Sequence, residues 1–176
     1  MTSSLVVRHR REGEAAQLAQ VHITAWKQAY HRLLPDRFWN DDALAGRIRM
    51  WSNVLADQGL RSNARVAEID GEVAGIAMTG KADEEDAELE LYLIYLLAEH
   101  YGSGAAGALL NELVGERSAS LWVFRDNPRA QRFYEKHGFY ADGAERDLGE
   151  EQNDDDLRGI CEIRMLRPAR PVKQEC

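Results

Sequence analysis

A glycine-rich turn in the middle of the chain has the composition of a phosphate-binding site. Residues 101–107 are Tyr-Gly-Ser-Gly-Ala-Ala-Gly and lie between a run that predicts a strand and a run that predicts a helix. Successive main-chain N–H groups at such a turn point outward and add to the positive end of the helix dipole. Small side chains also let a diphosphate approach the backbone. A turn that only packs a helix onto a sheet has the same composition, so this motif leaves both interpretations open.

Two other phosphate-binding motifs contain a glycine-rich turn of this kind. Gly102, Gly104 and Gly107 match the spacing of the dinucleotide-binding fingerprint, and Asp126 lies about where that motif has its ribose-binding acid. That fold needs two βαβαβ halves, whereas here the match begins beyond the middle of the chain and only one βαβ unit is available. The Walker A motif is excluded because no Gly-Lys-Ser/Thr follows the turn.

A second group of residues decides between these interpretations. Residues 121–139 have the sequence LWVFRDNPRAQRFYEKHGF. They resemble the signature N-x-x-A-x-x-F/L-Y-x-x-x-G-F of the GNAT family of N-acetyltransferases. Residues 90–106 resemble its partner motif, a strand that leads to Q/R-x-x-G-x-G/A. Both motifs occur in the order and spacing of that family, and the close resemblance covers Glu88 to Phe139. The chain departs from the pattern at Tyr101, where Gln or Arg is usual, and at Ala98, where Pro is common.

The resemblance implies that the chain binds acetyl-CoA as a co-substrate. No metal is expected, because His22 and His31 are nine residues apart and have no metal-ligand spacing with a carboxylate. In this family, the strand before the turn splays from its neighbour and pairs with pantetheine through backbone groups. Asn127 matches an asparagine that contacts the cofactor, although its other role is to cap the following helix. The positions that match pantetheine-binding residues are Ile94, Tyr95 and Leu96, and those that match the diphosphate cradle are Gly102, Ser103, Gly104, Ala105, Ala106 and Gly107.

Two catalytic residues follow from the same resemblance. Tyr134 matches the tyrosine that commonly protonates the departing thiolate of CoA, with core packing beside Phe133 as its alternative role. A lysine-like amine needs about 4.6 kcal/mol to become neutral at pH 7, so a base is expected. Glu90 occupies the position of the catalytic carboxylate of histone acetyltransferases in this family. Glu88 is predicted on the same strand face and could act through water, or both glutamates could belong to a solvated acidic loop.

The acceptor side is predicted from a third motif. Trp26, Tyr30 and the segment 33–36 resemble a bacterial GNAT subgroup with W-x-x-x-Y followed by L-P-D/E. In this fold the first two helices border the acceptor pocket, so the predicted wall residues are Trp26, Tyr30, His31 and Trp39. Trp26 and Tyr30 are four residues apart and share a helical face. For Trp26, core packing is the favoured role.

The elements that position these residues follow in the order β, α, α, β-hairpin, β, α, β, α, β, β. Asp70-Gly71 predicts a type I′ turn, and residues 150–156 predict an acidic loop. We expect a mixed α/β (α+β) GNAT fold in one domain, residues 1–176. Its mixed, mostly antiparallel central sheet would have splayed parallel strands 4 and 5 and helices on both faces. The predicted helices are Glu12–Tyr30, Asp41–Ala56, Gly104–Val114 and Pro128–His137. The predicted strands are Leu5–Arg8, Ala64–Ile69, Glu72–Thr79, Glu88–Leu97, Leu121–Phe124, a segment from Phe139 onward and Gly159–Leu166.

Composition limits the partners. The chain has 22 Lys and Arg against 30 Asp and Glu, a net charge of -8, and no basic stripe. We therefore expect no nucleic-acid partner, which also disfavours a toxin that acetylates charged tRNA. The longest apolar stretch, Leu91 to Ala98, is too short to cross a bilayer, and no signal peptide is evident, so we expect a cytoplasmic protein without a membrane partner.

These observations predict an N-acetyltransferase that transfers acetyl from acetyl-CoA to a primary amine of a small molecule. Direct transfer in a ternary complex is expected because the motifs contain no Cys or Ser nucleophile. Two alternatives stay open: a peptide or protein N-acetyltransferase, and a non-catalytic acyl-CoA sensor of the same fold. A homodimer is left open as the assembly state.

Overall fold

The structure is a computed structural model that describes residues 4–57 and 63–170. Within these residues, three short 3₁₀ turns at Asp36–Trp39, Ala98–His100 and Asp155–Leu157 join the longer elements. The helices are α1 (Ala15–Tyr30), α2 (Asp41–Ala56), α3 (Ala105–Val114), α4 (Pro128–Lys136) and α5 (Leu148–Gln152). The strands are β1 (Leu5–Arg8), β2 (Ala64–Ile69), β3 (Glu72–Lys81), β4 (Leu89–Leu96), β5 (Ala119–Phe124), β6 (Tyr140–Asp147) and β7 (Cys161–Arg167).

The strands hydrogen-bond in the order β1-β2-β3-β4-β5-β7-β6. Four pairs are antiparallel: β1 with β2, β2 with β3, β5 with β7, and β6 with β7. β4 and β5 are parallel, and their register begins with Leu89 opposite Ala119 and Glu90 opposite Ser120, at the start of both strands. The mixed, mostly antiparallel sheet with parallel fourth and fifth strands is therefore confirmed.

The chain divides into two compact units, of which the first lies within Met1–Thr79 and Leu93–Leu113. The apolar residues of α1 recur at helical spacing and place one face of the helix in the core. Trp51 of α2 is fully buried in the same cluster. The buried members of this cluster are Leu18, Ala19, Val21, Trp51, Val54, Ala64, Val66, Val73, Ile76 and Leu93.

The second unit lies within Gly80–Tyr92 and Val114–Cys176 and contains β5, β6, β7 and α4. Leu121 of β5 is opposite Met165 of β7, and both are buried. The Tyr134 ring at the end of α4 packs edge-on against Phe139, with 5.7 Å between ring centroids. This contact fixes α4 against the start of β6. The expectation of one domain over residues 1–176 stays a prediction.

Local signals in the sequence predicted several backbone features correctly. Asp70 and Gly71 both have positive φ, 55° and 88°, as a type I′ turn requires. Asn127 caps α4 because its Oδ1 accepts a hydrogen bond from the N–H of Ala130 at 3.1 Å, and Pro128 follows in the first turn. Gly138 has φ 89° after the helix ends.

Two predicted segments were wrong. The first helix begins at Ala15 instead of Glu12, since Gly13 has φ 82° and interrupts the helical backbone. The predicted acidic loop 150–156 is not irregular throughout, because α5 and a 3₁₀ turn occupy most of it. Asp147 accounts for α5: its Oδ1 accepts hydrogen bonds from Gly149 at 2.8 Å and from Glu150 at 3.2 Å. The other predicted bounds agree with the structure to within two residues.

Candidate functional site

The glycine-rich turn before α3 presents its backbone to open space. Gly102 and Gly104 have φ values of 79° and 88°, a region that L side chains rarely adopt, and a Cβ added at either position would meet nothing within 4 Å. Ser103 caps the helix start by accepting a hydrogen bond from the N–H of Ala105 at 3.3 Å. The N–H groups of Ala106 and Gly107 belong to the first turn, where a helix has no acceptors of its own. The turn therefore offers outward N–H groups to an anion.

The segment Ile94 to Leu96, predicted to bind pantetheine, lies at the end of β4 and packs closely against β3. A Cβ at Gly75 would lie 2.7 Å from the carbonyl oxygen of Tyr95 and 2.9 Å from Cγ of Leu96. Leu96 is buried, and Ile94 and Tyr95 are half-buried. Glycine at position 75 thus permits the close approach that sets the path of β4.

The second unit contains the predicted catalytic residues. Tyr134 is buried, and its ring also contacts Phe133 edge-on at 5.2 Å between centroids. Its carbonyl oxygen accepts hydrogen bonds from the N–H groups of His137 and Phe139 at the end of α4. The structure therefore shows the packing role of Tyr134 that the sequence left open as an alternative. Asn127 likewise shows its capping role.

Glu90 is half-buried on β4 in surroundings that favour its protonated form. Burial raises the pKa of its carboxyl group, and the negative charges of Asp83 and Glu84 raise it further, against the lowering effect of Arg146 and Arg164. A carboxylate whose pKa is raised toward neutrality is better matched to accept a proton at physiological pH.

Glu88 is held differently from Glu90. It precedes β4 instead of lying within it, so the predicted strand start was one residue early. Its Oε2 accepts hydrogen bonds from the main-chain N–H of Ser118 at 3.3 Å and from the Ser118 hydroxyl at 3.4 Å. Its main-chain N–H in turn donates to that hydroxyl at 3.0 Å. Glu88 therefore connects the starts of β4 and β5.

An arginine that the sequence analysis missed holds the acidic loop next to Glu90. Arg164 of β7 is buried, and its Nη1 donates to Asp86 at 2.9 Å and to Asp142 at 2.8 Å. Its Nη2 lies 3.7 Å from the carboxylate of Glu84. A charged residue among the apolar residues of the predicted strand Gly159–Leu166 was the available signal, because a charge that becomes buried in a strand needs a partner of opposite charge. Arg164 fixes the loop that contributes two of the charges acting on Glu90.

Trp26 and Tyr30, two of the predicted acceptor residues, belong to an aromatic cluster on one face of α1. The Trp26 ring contacts Tyr30 at 6.0 Å, Phe38 at 5.9 Å and Tyr95 at 6.2 Å between ring centroids. Its indole nitrogen is buried and has no hydrogen-bond acceptor among residues 4–57 and 63–170. The guanidinium of Arg47 stacks on the same ring, with Cζ 5.1 Å from the centroid.

His31 and Trp39 are the other two predicted acceptor residues. They line an open groove of about 620 Å³, whose other lining residues do not belong to the aromatic cluster around Trp26. Trp39 Nε1 donates to Asp36 at 3.0 Å. The remaining lining residues are Gln20, Ile23, Thr24, Lys27, Gln28 and Ala98. Of the four predicted residues, His31 and Trp39 line this groove, and Trp26 and Tyr30 are not among its lining residues.

His22 and Arg47 are further residues of this region that the sequence analysis did not assign to the site. Burial lowers the pKa of His22 to about 3, and the charge of Arg47 adds to the effect, so His22 is neutral. Its Nδ1 accepts a hydrogen bond from Trp51 Nε1 at 3.3 Å. The spacing of Arg47 and Trp51, four apart on α2, was the signal that could have placed Arg47 near this cluster.

No helix in residues 4–57 and 63–170 has the length and hydropathy needed to cross a bilayer. In the same part of the chain, no group of three or more His, Cys, Asp and Glu side chains is arranged to hold a metal ion.

The comparisons with known proteins agree on one family. The model of the Acetyltransferase (GNAT) family matches residues 16–139. An uncharacterized N-acetyltransferase of Mycobacterium tuberculosis strain H37Rv is 40% identical over 80 residues, which are 42% of this chain and 50% of that protein. The chain thus spans about half the length of the mycobacterial relatives that it matches. YuaI, an uncharacterized N-acetyltransferase of Bacillus subtilis, is 28% identical over 132 residues, 70% of this chain and 74% of that protein.

The fold is also shared with a solved structure. The crystal structure of PaiA N-acetyltransferase from Thermoplasma acidophilum in complex with coenzyme A has a TM-score of 0.63 at 19% identity. The likeness covers 94% of this chain and 99% of that one. Since the family model matches well over half of the sequence and the fold agrees, this chain belongs to the GNAT family of acetyltransferases.

Proposed function

We propose that the protein transfers an acetyl group from acetyl-CoA to a primary amine of a small molecule, directly within a ternary complex. The observation that carries this proposal is the open glycine turn at the start of α3, in a chain whose family transfers acetyl groups. The N–H groups of residues 102–107 would bind the diphosphate of CoA, since a helix N-terminus favours negative charge. The CoA named in the Thermoplasma acidophilum structure supports the same co-substrate.

Glu90 acts as the base in this proposal. The acceptor arrives as an ammonium ion, and only the neutral amine attacks a thioester, so its proton passes to the Glu90 carboxylate, directly or through water. The raised pKa of Glu90 reduces the cost of that transfer. The side chain of Glu88 is engaged by Ser118, which favours Glu90 over Glu88 for this role.

Tyr134 acts as the acid. The amine nitrogen forms a bond to the acetyl carbonyl carbon, the C–S bond then breaks, and the departing sulfur takes the phenolic proton. The new amide nitrogen releases its extra proton, which restores the phenol through solvent. A phenol with pKa ~10 gives its proton to a thiolate of conjugate pKa ~8.5 at a cost of roughly 2 kcal/mol, which is small beside a typical reaction barrier. The pantetheine arm is expected to lie along residues 94–96 and Asn127 to contact the co-substrate.

The proposal is tested by release of free thiol from acetyl-CoA over a panel of small primary amines, for the wild type and Tyr134→Phe. We expect turnover with at least one amine and a loss of about 100-fold or more in kcat for the variant. Initial-rate lines that intersect when both substrates are varied indicate a ternary complex, whereas parallel lines indicate an acetyl-enzyme and contradict direct transfer.

Matched variants separate chemistry from folding. Tyr140→Phe is the control for Tyr134→Phe, because Tyr140 lies in the same unit and 54% of it is exposed. Gly104→Ala should weaken CoA binding, and Gly13→Ala is its control, since Gly13 also has positive φ and open space around it.

CoA binding without turnover of any amine or peptide would identify an acyl-CoA sensor. Turnover of peptides alone would identify the peptide N-acetyltransferase.

A further inference from the structure

Arg47 differs from three other arginines of this protein that are largely removed from solvent, Arg8, Arg164 and Arg167. Arg8 forms ion pairs of 2.6 Å with Glu14 and Glu68, and Arg164 is surrounded by three acidic residues. Arg167 donates from Nη2 to the carbonyl oxygens of Gly115 and Arg117. In each case the fold supplies acceptors for a guanidinium that has lost part of its hydration.

Arg47 has no such acceptor in the part of the chain that the structure describes, residues 4–57 and 63–170. Its side chain is half-buried, and one face of the guanidinium is covered by the Trp26 ring at 5.1 Å from the centroid. Burial is the larger influence on its pKa and lowers it, so the charge carries a desolvation cost that no carboxylate offsets. Stacking uses a face of the guanidinium and leaves the N–H groups at its edge available to a planar oxyanion.

The neighbours of Arg47 do not supply the missing negative charge. His22 is neutral, and the charge of Arg47 itself disfavours protonation there. Among the described residues, Tyr95 is the one neighbour whose electrostatic influence favours the charged form of Arg47. Tyr95 belongs to the segment of β4 expected to lie beside pantetheine, so in the proposed function Arg47 would lie beside the arm of the co-substrate that carries the thioester.

We propose that Arg47 binds a carboxylate of the acceptor, and hence that the substrate class is small primary amines that also carry a carboxylate group. This inference rests on the proposed acetyl transfer and narrows its acceptor. A carboxylate fits the guanidinium edge through two parallel N–H···O bonds, which is the geometry that distinguishes arginine from lysine.

The test compares acceptors that differ only in the anionic group. Glycine, γ-aminobutyrate and lysine are each assayed beside their carboxamides, and phosphoethanolamine is assayed beside ethanolamine to separate carboxylate from phosphate recognition. We expect the wild type to prefer the carboxylate in at least one pair. Arg47→Met should lower kcat/KM for that acid about 10- to 100-fold and leave the amide almost unchanged. Arg47→Lys should recover only part of the loss.

Arg49→Met is the matched control, because Arg49 lies on the same helix, is exposed, and has no ion pair or hydrogen bond among the described residues. If Arg47 has only a structural role, Arg47→Met should have a lower thermal midpoint and should lose kcat/KM equally for the acid and its amide. That result overturns the inference. Preference for the amide or for phosphoethanolamine in the wild type also overturns it.

If the wild type acetylates none of the compounds, the proposed function fails. Titration calorimetry with the three amino acids then tests Arg47 separately, and equal affinity of wild type and Arg47→Met overturns the inference.

Discussion

Single residues in this protein take their acid–base properties from neighbours both near and far in the sequence. Glu90 is under the influence of two acids from the loop before β4 and two arginines from β6 and β7. The GNAT motif predicted Glu90, Tyr134 and Asn127 by position, but it could not predict these influences. Asp86 and Arg164 are 78 residues apart, and their pairing exists only once the fold brings them together.

A pH profile tests the influence of the loop on Glu90. A base is active when deprotonated, so kcat/KM should rise with pH through the pKa of Glu90, and a higher pKa moves that rise to higher pH. Asp83 raises the pKa of Glu90, so Asp83→Asn should move the acidic limb to lower pH, and the shift should be small because Asp83 is exposed and solvent screens its charge.

Glu135→Gln is the control for this profile, since Glu135 is an exposed acid of α4 that does not act on Glu90. Its profile should coincide with that of the wild type. If Glu90→Gln retains the acidic limb, the limb belongs to another group and the assignment of the base is wrong.

His22 makes folding stability depend on pH. Its pKa is about 3 in the folded chain and 6.5 ordinarily, so below pH 6.5 the unfolded state binds a proton that the folded state does not. The stabilising effect of neutral His22 is complete above pH 6.5 and is lost by up to about 1.4 kcal/mol per pH unit as pH falls from 6.5 toward 3. His22→Asn keeps an acceptor for Trp51 and removes the proton site.

Urea unfolding at pH 7.5, 5.5 and 4.5 measures the effect. His22→Asn should be less stable than the wild type at pH 7.5, because it loses ring contacts with Trp51 and Tyr95. The difference should shrink as pH falls. A constant difference across the three pH values would show that His22 does not titrate in this window.

Helices and strands were predicted well where a local signal defines them. Asn127, Pro128 and Gly138 set the two ends of α4, and Asp70-Gly71 sets the hairpin of β2 and β3. Prediction failed where a helical turn depends on a side-chain cap. Residue types alone do not show which aspartate accepts hydrogen bonds from the main chain. An acidic run predicts a solvated loop, yet Asp147 and Asp154 cap helical turns within it.

Two glycine substitutions should change the stability of their elements in opposite directions. Gly75 of β3 has no room for a Cβ, which would lie 2.7 Å from the Tyr95 carbonyl oxygen. Gly75→Ala should cost about 1–3 kcal/mol and raise the KM for acetyl-CoA, since relief requires movement of β4. Gly46 of α2 would place its Cβ in ordinary contact at 3.8 Å, so Gly46→Ala should add about 0.5–1 kcal/mol through helix propensity.

Chemical denaturation and steady-state kinetics on both variants check this prediction. Gly46→Ala is also the kinetic control, because its KM for acetyl-CoA should equal that of the wild type. An unchanged KM in a folded Gly75→Ala variant would mean that the close approach of β3 does not fix the position of β4.

At the scale of the whole molecule, the sequence predicted the succession of elements but not their order in the sheet. β7 lies between β5 and β6, so the last strand pairs with both. The register of β7 on β5 and on β6 is set by contacts between distant residues, which periodicity in one sequence does not reveal. The family resemblance supplied the parallel β4 and β5, because that feature belongs to the fold and not to either strand alone.

The prediction of one domain can be tested at this same scale by scanning calorimetry. β3 and β4 each contain residues of both compact units, so unfolding of either unit must break strands that contribute to the other. We therefore expect one cooperative transition with equal calorimetric and van't Hoff enthalpies. CoA at 100 times its Kd should stabilise the whole transition by about 2.7 kcal/mol, provided that it binds only the folded chain. Gly104→Ala should reduce this shift at the same CoA concentration and Gly13→Ala should not. Two transitions, of which CoA moves only one, would show instead that residues 1–176 fold as two domains and that the co-substrate is bound by one of them.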